Sequence, residues 1–179
     1  MKFHSIRSSA LWLLFFLIPC AAYNQVAGTR LAIGRESLCV TEGAVEKGPN
    51  DRLAVNATKM RAYVNTWTAQ DIQAHFTDLG PTGEESKLGS GATRIQFGLK
   101  LRAQDACNLV YAMWRFDPDS RIVVSIKRNS SQSKSSECGN RGYQNIKPRH
   151  TVAVPVLRPG DSHNFGAEIQ REELHVFVD

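Results

Sequence analysis

Between Lys127 and Arg149 the chain gathers six cations (Lys127, Arg128, Lys134, Arg141, Lys147 and Arg149) around one acid, Glu137, a local charge of +5. The residues between them, Asn129-Ser130-Ser131-Gln132-Ser133 and Gly139-Asn140-Arg141-Gly142-Tyr143, have the composition of a long surface loop. Such a segment suits an anionic partner, an acidic polysaccharide or a phosphorylated surface, because clustered cations raise the local concentration of anions. It equally suits a solvated loop with no ligand. Aromatic side chains offer a flat apolar face with a polar edge, the chemistry that stacks on sugar rings. Trp67 and Tyr143 lie near turns and are candidates for that role, whereas Trp114 sits in an apolar run that points to the core. The candidate ligand set is therefore Trp67, Lys127, Asn129, Arg141, Tyr143 and Lys147.

Catalytic patterns are scarce. His75, His150, His163 and His175 show no metal-ligand spacing, and no Cys-x-x-Cys or Cys/His pattern suggests zinc. A Gly-x-Ser-x-Gly elbow and the glycine-rich phosphate cradles are missing, so neither an enzyme class nor a cofactor is indicated. Glu168, Glu172 and Glu173 read as a wet strand face and a turn. Nucleic acid is not an expected partner, since the basic segment has few interleaved aromatics.

The first 22 residues bear on compartment. Lys2 and Arg7 precede an uncharged run, Ala10 to Pro19, and Cys20-Ala21-Ala22 offers small residues for cleavage after Ala22, the layout of a secretory signal. The apolar run is about ten residues, short for a ~30 Å hydrocarbon core. An uncleaved anchor or lipidation at Cys20 are the alternatives. Cleavage leaves a domain of 157 residues carrying 20 basic and 17 acidic side chains, a net +3. The expectation is a secreted or periplasmic protein without a transmembrane segment. Three cysteines remain, Cys39, Cys107 and Cys138. An oxidising compartment permits one bridge and leaves one thiol over. Cys107–Cys138 is the expected pair, both being next to turn residues; the alternative is three reduced thiols with Cys39 buried.

The elements that must position these residues are mostly strands. Ile95, Phe97, Leu99 and Leu101 alternate with Arg94, Gln96, Gly98, Lys100 and Arg102, so one face is buried and the other wet. Leu109 to Phe116 is apolar on both faces, and Ile122 to Lys127 follows the turn at Asp117-Pro118-Asp119-Ser120. Short strands are also expected at 31–33, 38–40 and 60–64, at Val152, Val154 and Val156 (an edge or bulge, given Pro155), and at Asn164 to Gln170 and Leu174 to Val178. Thr68 to Leu79 carries both a helical and an alternating pattern; the alternating reading is preferred because its neighbours are strands. Gly43 to Asp51 and Gly80 to Gly91 read as loops. Asn56 and Asn129 fit the N-glycosylation sequon. Residues 23–58 and 59–179 together make one domain, an all-β antiparallel sandwich.

The runs Phe97-Gly98-Leu99-Lys100-Leu101-Arg102, Tyr111-Ala112-Met113-Trp114-Arg115-Phe116, His163-Asn164-Phe165-Gly166-Ala167-Glu168-Ile169 and Leu174-His175-Val176-Phe177-Val178-Asp179 resemble those of concanavalin A-like (laminin G-like) jelly-roll domains, over roughly residues 60–179. The resemblance implies a jelly-roll sandwich, and a turn and returning strand beyond Asp179. The expectation is therefore either a C-terminally truncated reading frame or a sheet that closes differently. Glycosidases of this fold carry a Glu-x-Asp-x-x-Glu strand, which is absent here, as are the Gln-Ile-His motifs of similar lyases. The favoured function is non-catalytic binding of carbohydrate or another surface ligand. A glycan-active hydrolase or lyase and a structural envelope protein are the alternatives, since fold does not fix function.

Overall fold

A computed structural model of the chain describes residues 30–64, 71–84, 87, 91–116 and 119–179. Residues 1–22, expected to form an export signal, and Trp67 lie outside the described residues. Ile33–Asp179 forms one compact unit. Its strands are β1 (Leu38–Glu42), β2 (Glu46–Lys47), β3 (Leu53–Ala54), β4 (Arg61–Val64), β5 (Asp71–Thr77), β6 (Gln96–Leu101), β7 (Leu109–Arg115), β8 (Arg121–Lys127), β9 (Tyr143–Ile146), β10 (Ser162–Gln170) and β11 (Glu173–Val178). One helical turn, α1 (Ser135–Cys138), precedes β9.

All pairings are antiparallel. A four-stranded sheet runs β6-β7-β8-β9 in chain order, and a three-stranded sheet runs β11-β10-β5. Two small pairs, β1–β4 and β2–β3, complete the ladder. The alternating residues of β6 behave as their pattern requires: Leu99 and Leu101 are buried and join Ala112 and Trp114 of β7. From the other sheet Phe165, Ala167 and Ile169 of β10 meet them, with Ile72, Ala74 and Phe76 of β5 packed alongside. The result is an all-β sandwich with one oily interior. Within the segment with two possible patterns, Asp71–Thr77 is a strand, since β5 pairs with β10 from Asp71↔Glu168 to Thr77↔Ser162.

Trp114 is fully buried and organises the interior. Its ring makes edge contacts with Phe76 and Phe116 at 5.8 Å, and it packs against Phe165 at 5.9 Å. Its indole N–H donates to Ser120 Oγ at 2.9 Å, so burial leaves no polar orphan. Ser120 in turn donates to the Pro155 carbonyl.

Four expectations are corrected. The stretch Gly43 to Asp51 is not all loop, since it holds β2, which pairs with β3, and a 3-10 turn at Pro49–Asp51. Residues 31–33 form no strand. Nor do Val152, Val154 and Val156: Val154 and Leu157 pack on the core, Val152 and Val156 are exposed, and Pro155 has no N–H to offer a ladder. The stretch from Lys127 to Arg149 is not one long loop, because Tyr143–Ile146 pairs with β8 as the fourth strand. Cys107 and Cys138 are bridged, as expected, and Cys39 is a half-buried free thiol.

Candidate functional site

The side of the four-stranded sheet turned away from the core carries the richest chemistry. Register sets it out in rows. Lys100, Tyr111, Ser125 and Asn145 face one another across β6, β7, β8 and β9. The next row is Leu109, Lys127 and Tyr143. Cross-strand neighbours lie roughly 5 Å apart at Cβ, which sets these side chains beside one another. The rings of Tyr111 and Tyr143 lie 5.6 Å apart and their hydroxyls 3.4 Å apart. Tyr143 is 47% exposed and forms the accessible half of the pair. Ser125 donates to Asn145 Oδ1 at 2.8 Å. Burial, then the Tyr143 hydroxyl, pushes the Tyr111 phenol well above its ordinary range, so it stays a neutral donor at any physiological pH.

Lys127 is only 3% exposed. Its ammonium donates to the carbonyls of Gly139 at 2.7 Å and Ala106 at 3.3 Å, and lies 5.1 Å from the Tyr143 ring centroid. Burial and then Arg61 lower its proton affinity. Lys100 is lowered in the same way, by burial first and Arg61 next, opposed by Glu42. Arg61 and Glu42 are themselves paired at 2.9 Å. β1 and β4 thus bring a second cation, Arg61, to the Lys100–Tyr111 row.

The loop from Arg128 to Gly142 is folded down by its own polar groups. The Cys107–Cys138 bridge ties it to the β6–β7 connection. The Asn129 amide donates to the carbonyls of Cys107 at 3.2 Å and Arg141 at 3.1 Å, which leaves that nitrogen no freedom to carry a glycan. The Arg141 guanidinium donates to the carbonyls of Cys138 and Glu137. The Glu137 carboxylate accepts from the backbone N–H groups of Ser133 and Lys134. Asn108 is the hub: it donates to both Asp105 oxygens and to the Gln132 carbonyl at 3.0 Å, and accepts from the Asn129 N–H at 2.8 Å. These bonds, with that of the Cys107 N–H, hold the Asp105 carboxyl below the usual range, the Asn108 amide being the largest cause. Beside this network lies a polar hollow of 500 Å³ lined by Asp105, Asn108, Arg128 and Ser131.

The structure therefore brings Lys127, Asn129, Arg141 and Tyr143 together. Lys127, Asn129 and Arg141 work mainly on backbone carbonyls, and Tyr143 presents the accessible surface. Lys147 follows β9 and is exposed. Tyr111, Lys100, Ser125 and Asn145 are partners that the sequence reading did not single out. The wet parity of β6, read through Lys100, was the signal for them, once the β6–β7 register is known.

A second constellation sits at the start of β10. His163 Nδ1 lies 2.7 Å from Asp179 Oδ2, and the Asn164 N–H donates to Asp179 Oδ1 at 2.9 Å. The imidazole packs against Trp114 at 5.5 Å and lines a 370 Å³ hollow with Pro155, Arg158, Asp161 and Ser162. Among the described residues no group of three His, Cys, Asp or Glu side chains is placed to hold a metal ion.

The fold and the tyrosine-bearing face define the class, an all-β sandwich with a polar-aromatic sheet surface. Comparison with family models, curated proteins and solved structures finds no match to the chain.

Proposed function

We propose that this is an exported, non-catalytic sandwich protein that binds carbohydrate on the outer face of β6-β7-β8-β9. On this reading the sandwich is a variant of the concanavalin A-like class that the sequence resembles. The observation that carries the proposal is the Tyr111–Tyr143 pair, its rings 5.6 Å apart and tilted by 37°, with Tyr143 half open to solvent and Asn145, Ser125 and Lys100 in the adjoining row. A sugar presents axial C–H groups to a ring face and hydroxyls at its rim, and this row offers one of each complement. The Lys127 ammonium, anchored to two carbonyls, fixes the Tyr143 ring before any ligand arrives, which reduces the ordering cost of binding.

A glycan array with the purified protein tests the reading. Binding to at least one glycan, reduced about tenfold or more by Tyr143→Ala, is the expected result. No binding at high micromolar protein overturns it.

The His163–Asp179 pair beside its hollow favours a second reading, a glycan-active hydrolase or lyase, because a carboxylate-held imidazole with one ring nitrogen left over suits proton transfer. Glycan turnover abolished by His163→Ala would select it; no product from any glycan bound on the array removes it.

A further inference from the structure

The same outer face ends, at the start of β6, in a row of a different kind. Gln96 stands opposite Arg115, and Arg115 stands opposite Arg121. Arg94, two residues before Gln96, is close enough to act on Arg115. We infer that Arg94, Arg115 and Arg121 form an anion subsite, so that the glycan bound on this face carries carboxylate or sulfate groups. The inference rests on the carbohydrate-binding reading and narrows its ligand class.

The argument starts from what such an arrangement costs. Like charges directly opposite on neighbouring strands are destabilising. Here a pair of guanidinium groups occupies that position with a third alongside. Among the described residues, Arg115 Nε and the Oε1 of its cross-strand neighbour Gln96 are both sealed from solvent and find no hydrogen-bond partner. Burial first, then Arg94 and Arg121, lowers the proton affinity of Arg115. Among the described residues the only acid paired with the trio is Asp119, 3.9 Å from Arg121, and both of those side chains are largely in water. Such an exposed pair offsets little. Asp117 lies outside the described residues.

An oxyanion supplies what is missing. A carboxylate or sulfate accepts two parallel N–H bonds from a guanidinium fork, and the bonds are charge-assisted. The rest of the face is net cationic: Lys100 and Lys127 lie on it and Arg61 approaches it, against Glu42 beside Lys100 and Asp105 beside Lys127. Arg115 is four residues from Tyr111 along β7, about 13 Å at ~3.3 Å per residue. An extended oligosaccharide reaches from the tyrosine pair to the arginine row, with a ring stacked at one end and an acidic substituent held at the other.

The test uses the full secreted protein and matched oligosaccharides: an oligogalacturonate and its carboxyl-reduced neutral form, and a sulfated oligosaccharide and its desulfated form. Binding is read by calorimetry. The acidic member of at least one pair should bind about tenfold or more tighter than its neutral form, the scale of one charge-assisted hydrogen bond. Arg121→Gln, at an exposed position that folding tolerates, should erase most of that preference and leave neutral binding intact. Arg115→Gln should do the same, with its fold checked by circular dichroism. Tyr143→Ala should weaken both members of a pair alike. Whichever pair shows the preference tells carboxylate from sulfate. Equal binding of acidic and neutral forms overturns the subsite while leaving the carbohydrate reading in place. No binding of any oligosaccharide overturns both. Tighter binding of a single-stranded oligonucleotide than of either acidic glycan overturns the inference too.

Discussion

Lys127 lies beneath Tyr143, its ammonium 5.1 Å from the ring centroid and hydrogen-bonded to the carbonyls of Gly139 and Ala106. One buried cation thereby fastens both loops at that end of the sheet and the aromatic surface above them. Lys127→Met keeps most of the volume and removes the donors. It should cost about 1–3 kcal/mol, because two carbonyls lose a charged partner. Amide exchange across residues 128–142 should accelerate, and any glycan affinity that depends on Tyr143 should fall. Unchanged exchange in that segment would show that the disulfide alone holds the loop.

The Cys107–Cys138 bridge closes a loop of sequence separation 31. Chain entropy assigns such a closure about 3.5 kcal/mol. Reduction, or the paired Cys107→Ser and Cys138→Ser variant, should lower the Tm by on the order of 10 °C. The loss should concentrate in residues 102–108 and 128–142, and the sandwich core should persist. A melting curve unaffected by reductant would contradict this.

Asn108 bonds Asp105, Gln132 and Asn129 at once. Asn108→Ala should destabilise by about 1–3 kcal/mol, since the Gln132 carbonyl and the Asn129 N–H lose their side-chain partner. Asn108→Asp is the sharper test. It sets a second carboxylate against Asp105 and removes the donor that keeps the Asp105 pKa low. Its deficit against the wild type should therefore grow as pH rises through the carboxylate range, from about 3 to 6. A deficit that is flat with pH would refute the pairing.

Asp179 is held below the usual carboxylate range, chiefly by the Asn164 N–H and next by His163. A carboxyl depressed in the folded state contributes stability that is fully present above its unfolded value, about 4. That contribution is lost as pH falls through the folded value. Asp179→Asn should flatten acid unfolding below pH ~4 and loosen the β10–β11 end, seen as faster exchange of the Asn164 amide. Parallel acid titrations of the two proteins would rule this out.

Much of the fold was legible because alternation is a backbone property. The parity of Phe97, Leu99 and Leu101 follows from side chains pointing to opposite sides of a strand, and it holds in the structure. Thr68 to Leu79 was settled by its neighbours, since β5 finds its partner in β10. Val152, Val154 and Val156 misled because alternation does not reveal whether a partner strand stands within reach. Val154 instead packs on the core while the Pro155 carbonyl serves Ser120. The basic segment misled for a related reason. Charge marks the residues as polar but does not say whether water or carbonyl oxygen solvates them, and Lys127 is solvated by carbonyls. Tyr111 went unnoticed inside an apolar run because its role depends on register with Tyr143, 32 residues away.

The two layers also differ in how the chain is threaded through them. The sheet bearing the tyrosines joins each strand to the next in sequence, β6 to β7 to β8 to β9. The opposite sheet pairs β5 with β10, with Thr77 and Ser162 separated by 85 residues. Closing so long a loop costs entropy that only the finished interior returns. The meander therefore has the means to assemble early from short-range hairpins, whereas β5 waits, unpartnered, until β10 emerges. The layer that completes the molecule is thus the one that lies opposite the proposed binding face.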